Sequence, residues 1–387
     1  MWLRATQGSR GAPLICGRAL SLAMRLACSC LDADEVDAST YVDDPLLTFV
    51  GTGEQQDAAL GIIVGCLLAL GFDLAFAKAQ DSNQQEQITW TSGVLIIDHE
   101  RLVIHVEVKE DILQTLEADI DTAYEYNSIK VDLIRTIAGR AMCVASLLHT
   151  WRPFVAMLWG PIFDTRSRTP FDPCRIWRAA VDIPLRWMKA FLTKACGTLR
   201  RSYSLSAYLH EGAQVEIVVD ASPVGFGGFL KVDGVIQEFA QDIITKADMT
   251  VLGKDGGTSE GQQVWEALAL LASLRLWCPY WASVRSTVRV KSDSVSALIL
   301  IMKLKTTGEG TSLIAREAAL DIAEAIYQPT VLEHIPGVTN TIADWLSRED
   351  ASSSASPLPS ALRQARRRLY PDRNAAWWRT LDARTSA

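Results

Sequence analysis

Four carboxylates sit beside apolar residues in short blocks: Asp220 in VVDAS, Glu266 in WEALALLASL, Asp293 in VKSDS and Asp344 in NTIADWLSR. In the first and third, the acid follows alternating apolar residues. That is the position of a strand end, where neighbouring strand tips of one sheet cluster. Burying several carboxylates together is costly unless cations compensate, and hard divalent ions, Mg²⁺ best of all, suit an all-oxygen donor set. Two such ions about 4 Å apart activate a water, position a phosphodiester and stabilise the leaving oxygen of an in-line displacement. Taken singly, Asp220 and Asp293 read equally as strand-end turn residues, and Asp344 as a first-turn acid favoured by the helix dipole. The signal is in the set.

A second acidic constellation, Asp43 and Asp44 in YVDDPLLTF, lies between apolar runs and reads either as a catalytic turn or as a tight acidic one. Pro45 cannot donate to a strand ladder and restricts the residue before it, so the strand after the acids is expected to start late or to bend.

These residues need elements to carry them, and at 387 residues the chain exceeds what one core usually organises. About half the residues are apolar and a fifth charged, with net charge −7, which excludes an indiscriminate nucleic-acid coat and permits a local basic groove. Helical periodicity over 12–30 and 54–70 flanks a short strand at 45–50, and QITWTSGVLIID reads as a strand whose hairpin partner is LVIHVEV. Residues 110–165 are helical, and CRIWRAAVDIPLRWMKAFLTK reads as a connector helix. From 211 come three strands joined by tight turns, then strands alternating with helices, which indicates a mixed sheet with helices on its faces. The fold class is therefore α/β and α+β, in several domains.

The eight cysteines lack paired spacing and histidine company, which argues against zinc and for free buried thiols in a reducing compartment. MWLRATQGSRGAP has no apolar leader core, and ALGIIVGCLLALGF is too short and too glycine-broken to span a bilayer, so an intracellular protein, cytoplasmic or nuclear, is expected. Residues 350–387 read as a flexible linker and a basic tail. There Arg363, Arg366, Arg367, Arg368, Arg373 and Arg379, beside Trp377 and Trp378, either grip a nucleic-acid backbone or form a solvated helix.

The blocks VVDAS…GFGG, WEALALLASL, VKSDS and HIPGVTNTIADWLSR together resemble, in order and spacing over 211–349, a type 1 ribonuclease H domain of the kind fused to retroelement reverse transcriptases. The resemblance implies that Asp220, Glu266, Asp293 and Asp344 hold two Mg²⁺ ions, with Mn²⁺ as a substitute, and that Asn340 precedes the last acid by one helical turn. His334 matches either the family's mobile histidine or a plain strand residue. YVDD is similar to the catalytic hairpin of reverse transcriptases. The neighbouring blocks agree: TQGSRGAPLICGRAL would place Gln7 and Gly8 near nucleotide and template, LGFDLAFAKAQ would place Lys78 near a triphosphate, and Tyr41 opens the hairpin. By this likeness 1–109 is a partial palm, 110–165 a thumb, 166–210 a connector and 211–349 the ribonuclease H domain.

Two-metal nucleotide transfer needs a further aspartate, which the family supplies from a strand well upstream of Gln7. Six residues precede Gln7 and none is acidic. Asp32, Asp34, Glu35 and Asp37 follow it, so they cannot fill that place by chain order. The expected activity is Mg²⁺-dependent cleavage of the RNA strand of an RNA–DNA hybrid, with the polymerase site incomplete. The alternatives are a catalytically dead nucleic-acid-binding remnant, or a polymerase subunit completed by a separate chain that carries the fingers. Oligomeric state is not legible.

Overall fold

A computed structural model of the chain describes residues 11–32, 34–204, 213–281, 286–324, 331–348 and 357–382. It divides into two compact units, Met1–Ile97 and Asp98–Ala387.

In the first unit, helix α1 (Ala12–Cys28) begins on a proline in its first turn, where the missing N–H costs nothing. The hairpin β1 (Val36–Tyr41) and β2 (Asp44–Phe49) follows, and helix α2 (Gly53–Ala69) starts from a Thr52–Gln55 capping box. Leu20, Ala23, Met24, Ala27, Ile63 and Leu67 form the small core between the helices and the hairpin. Pro45 neither delays nor interrupts β2, contrary to expectation. Tyr41 pairs with Asp44 across a two-residue turn, so Thr40 and Pro45 form the next, non-hydrogen-bonded pair, where a proline forfeits no ladder bond. Val42 takes φ 55° to close that turn, a left-handed conformation that a β-branched residue rarely adopts. A second such turn, with Thr91 also at φ 55°, splits QITWTSGVLIID into β3 (Gln87–Trp90) and β4 (Gly93–Asp98). The single strand expected there is thus a hairpin of its own.

The second unit opens with β5 (Val103–Val108), which pairs with β8 (Arg200–Ser204), and between them lie α3 (Glu110–Tyr124), α4 (Val131–Leu147), α5 (Arg152–Phe163) and α6 (Asp182–Leu192). The connector is not one helix. Its start forms β7 (Arg175–Trp177), paired with β6 (Ser128–Lys130), and α6 begins only where Pro184 can occupy a first turn. Trp151, Phe154 and Phe191 pack ring against ring there, in a core continuous with that of the following sheet, so the segments read as thumb, connector and ribonuclease H-like domain fold together.

That sheet comprises β9 (Ala213–Ala221), β10 (Gly225–Val232), β11 (Val235–Ile243), β12 (Ser286–Ser292), β13 (Val331–His334) and β14 (Arg366–Arg368), in the order β13-β12-β9-β10-β11-β14. The first three are antiparallel neighbours, while β12 runs parallel to β9, β13 to β12 and β14 to β11. The helices of this half are α7 (Lys246–Leu252), α8 (Gln262–Trp277), α9 (Val295–Lys303), α10 (Glu309–Ala323), α11 (Thr341–Arg348) and α12 (Arg379–Asp382). Helix α8 is apolar nearly all round and buried nearly throughout, as the central helix of a domain must be.

Helix α11 lies against β9 and β10 because Gly225 and Gly227 put no side chain on that face to hold it off. A Cβ on Gly227 would sit 2.5 Å from Leu346 Cβ and 2.9 Å from its carbonyl. Gly227→Ala is therefore expected to destabilise the unit by about 1–3 kcal/mol, as overpacking does, and chemical denaturation followed by tryptophan fluorescence measures it.

The segment read as linker and basic tail is folded over 357–382, and residues 350–356 lie outside the described residues. The Arg373 side chain is 2% exposed and bonded to Asp248 and Asp242, Arg379 pairs with Glu324, and Arg368 with Glu238. Trp378 is fully buried. Three of the six arginines thus hold the domain's own acids, and Arg363, Arg366 and Arg367 stay exposed. The eight cysteines are free, but only Cys196 is buried.

Candidate active site

The register of the parallel pair brings two acids level. Lys291 is opposite Val218, and Asp293, just past the end of β12, follows it by two residues as Asp220 follows Val218. Val218 packs on the α11 face of the sheet, and alternation turns Asp220 to that same face. Glu266 comes from the first turn and a half of α8. There Gln262, one turn earlier, donates from Nε2 to Glu266 Oε1 at 2.8 Å and also to the Ala221 carbonyl.

One oxygen from each of Asp220, Glu266 and Asp293 lies within 4.8 Å of the others. Asp220 and Glu266 are buried, and Glu266 Oε2 and Asp293 Oδ1 are buried atoms without a hydrogen-bond partner. Two orphaned carboxylate oxygens in one cluster fit a hard divalent cation, and no thiol or imidazole competes within the group.

Burial pushes the Asp220 carboxyl up to about 7. The charges of Asp293 and Asp344 add to this, and a hydrogen bond from Ser347 opposes it. Burial, then the charge of Asp220, pushes Glu266 up to about 8 against the Gln262 bond. Between roughly pH 4 and pH 8 the folded chain thus holds protons that the unfolded chain has released, so metal-free stability falls as pH rises through that window. An ion must displace those protons. The rise in melting temperature caused by Mg²⁺ is accordingly expected to be small near pH 6 and to grow to its maximum above about pH 8, measured as paired melts across pH.

Asp344 sits in the first turn of α11, outside the 4.8 Å group, and its Oδ1 takes both Arg348 Nε and a second guanidinium nitrogen at 2.7 Å. Asn340 is buried one turn earlier, donates from Nδ2 to the Val219 carbonyl at 3.2 Å and leaves Oδ1 unpaired. His334 is exposed at the end of β13, opposite Ser292, the neighbour of Asp293. Three groups that hold or flank the acids carried no signal in the sequence. Ser347 donates from Oγ to Asp220 Oδ2 at 2.6 Å, Ser222 donates to the Ser347 carbonyl at 2.7 Å, and a Cβ on Gly337 would lie 3.1 Å from Asp293 Oδ2. Ser347 falls three residues after Asp344, but its partner is 127 residues away.

No protein-family model matches the sequence, and no curated protein matches it. Among solved structures, the foamy viral protease-reverse transcriptase in complex with double-stranded DNA aligns with 86% of this chain and 50% of its own, at 14% identity and TM-score 0.38. The same viral protein in complex with an RNA/DNA hybrid aligns with 92% of this chain and 42% of its own, at 10% identity and TM-score 0.37. RNase H1 from the halophilic archaeon Halobacterium salinarum NRC-1 aligns with 34% of this chain and 93% of its own, at 19% identity and TM-score 0.26. The chain spans about half the length of the viral proteins.

The first unit's acids stand apart from any such cluster. Asp43 occupies the turn and Asp44 opens β2, both exposed beside the exposed Tyr41, and the Asp44 carbonyl accepts from Trp90 Nε1 at 3.1 Å. Among the described residues neither acid joins a group of three potential ligands. Lys78 ends an exposed 3₁₀ turn, and Gln7 and Gly8 lie outside the described residues. No helix among the described residues is long and apolar enough to cross a membrane.

Proposed function

We propose that the second unit is a divalent-metal-dependent nuclease that cleaves the RNA strand of RNA–DNA hybrids, leaving a 3′-hydroxyl and a 5′-phosphate. The observation that carries this reading is the cluster of Asp220, Glu266 and Asp293 at the tips of two parallel strands, with two buried carboxylate oxygens unpaired. The four sequence blocks resembling a type 1 ribonuclease H support it. In this reading Asp220 and Asp293 hold the ions most directly, Glu266 closes the cluster from α8, and Asp344 adds charge from α11. Two Mg²⁺ ions, or Mn²⁺ in their place, supply Lewis-acid activation and charge neutralisation when bound. Asp220 and Glu266 surrender their protons to admit them. Hybrid selectivity rests on shape and on 2′-hydroxyl contacts along the RNA strand.

The test is a strand-labelled RNA–DNA hybrid incubated with the folded chain and Mg²⁺. Cleavage confined to the RNA strand is expected. A chain that binds the hybrid and cuts neither strand is a dead binding remnant, and the reading fails.

A second reading attaches to the first unit, where α1 exposes Leu14, Ile15, Leu22 and Leu26 and, among the described residues, the Asp43–Asp44 hairpin forms a two-stranded sheet. Such a unit suits completion by a separate fingers-containing chain that supplies a further acid. Primer extension by this chain mixed with such a partner, lost on Asp44→Asn, supports it. No extension in the mixture removes it.

A further inference from the structure

We infer that Ser347 is a positioning residue for the metal cluster, through a single hydrogen bond that orients Asp220; this rests on the nuclease reading above. Ser347 lies three residues beyond Asp344 on α11 and is 1% exposed. Its one hydroxyl proton has two acceptors in reach, Asp220 Oδ2 at 2.6 Å and the Asp344 carbonyl at 2.9 Å. An ionised carboxylate outcompetes a helix carbonyl that already has an acceptor role in the backbone, so the proton goes to Asp220 once that group is charged. The bond commits Oδ2 to the helix and leaves Oδ1 as the oxygen that can face Glu266 and Asp293.

The serine is itself held. Ser222 donates to the Ser347 carbonyl at 2.7 Å, while Ser222 Oγ receives the backbone N–H groups of Val224 and Gly225 at 3.3 and 3.1 Å. The strand that carries Asp220 is thus tied twice to the helix that carries Asp344, once through a side chain that reaches the carboxylate and once through one that does not. Gly227, opposite Asp220 on β10, has no side chain to force the helix away. No other described hydroxyl is bonded to Asp220, Glu266 or Asp293, and Glu266 has its own positioning donor in Gln262.

Groups bonded behind a metal ligand fix its rotamer, and their loss typically weakens metal binding about 10- to 100-fold. Ser347→Ala is therefore expected to weaken Mn²⁺ binding by about 10-fold or more, measured by calorimetric titration of the whole chain without substrate. Ser347→Thr, which keeps the hydroxyl, should bind within about 3-fold of the wild type. Ser222→Ala, which loosens the same helix without touching Asp220, should lose clearly less Mn²⁺ affinity than Ser347→Ala. Wild-type affinity in Ser347→Ala overturns the inference. So does an equal loss in Ser222→Ala, which would make the serines merely structural. If Ser347→Ala does not fold, Ser347→Cys, of similar shape and poor donor strength, carries the same comparison. A wild-type chain that binds no Mn²⁺ instead defeats the nuclease reading itself, so the two failures are distinct.

Discussion

Asp293→Asn is expected to abolish hybrid cleavage while raising the melting temperature of the metal-free chain. The two effects have one cause. Asp293 Oδ1 is a buried anionic oxygen with no donor, facing two further carboxylates within 4.8 Å. An amide in its place removes a charge from that cluster and offers an N–H to Asp220 or Glu266, so the metal-free fold should gain about 1–3 kcal/mol. The same change deletes an anionic oxygen that an ion requires. Loss of a group merely bonded to a ligand costs about 10- to 100-fold, so loss of the ligand should lower the cleavage rate by more than about 100-fold. Cleavage of a labelled hybrid and a melt in chelator check both halves. A dead variant that melts lower has simply been damaged, and a variant that cleaves normally removes Asp293 from the site.

The largest effect on stability is expected at Arg373. This side chain is 2% exposed and bonds both oxygens of Asp248, which is fully buried, along with Asp242 and the Ile243 carbonyl. Arg373→Ala leaves Asp248 buried without its cationic partner, a loss of about 3–5 kcal/mol. The melting temperature should fall by on the order of 10 °C. Asp248 Oδ2 also accepts from Thr245 N and Oγ1 at the start of α7, so the second substitution must keep that cap. Arg373→Met combined with Asp248→Asn does so and should recover most of the loss, because removing both charges is far cheaper than stranding one. A double variant as unstable as Arg373→Ala would show that packing, not charge, is what Arg373 provides.

The acids and their elements were legible in the sequence because each rests on local pattern: alternation ending in VVDAS and VKSDS, and an apolar helix that carries Glu266 near its start. What joins them was partly legible. Two strands ending in acids imply a shared edge, but the register that sets Asp293 level with Asp220 depends on which strands are neighbours, and no local signal states that. The tail was misjudged for a related reason. Six arginines beside two tryptophans read as a nucleic-acid grip or a solvated helix, because the acids that neutralise three of them, Glu238, Asp248 and Glu324, are distant in the chain. Pro45 was judged by its missing N–H without the pairing phase of the hairpin, which decides whether that donor is needed. Ser347 was invisible because a serine in an amphipathic helix has no pattern to break.

The latch formed by residues 366–380 also bears on the order in which the chain is made. Glu238, Asp248 and Glu317 are placed in the interior by strands and helices synthesised earlier, and their partners Arg368, Arg373 and Thr380 emerge from the ribosome after them. Until then the nascent domain carries Asp248 in its core without its cation and an uncovered edge at β11, the kind of surface that chaperones recognise and that pairs with other chains. Completion of the fold is therefore deferred to the end of translation of this segment, and products stopped short of it should be recovered as aggregates rather than as smaller folded domains.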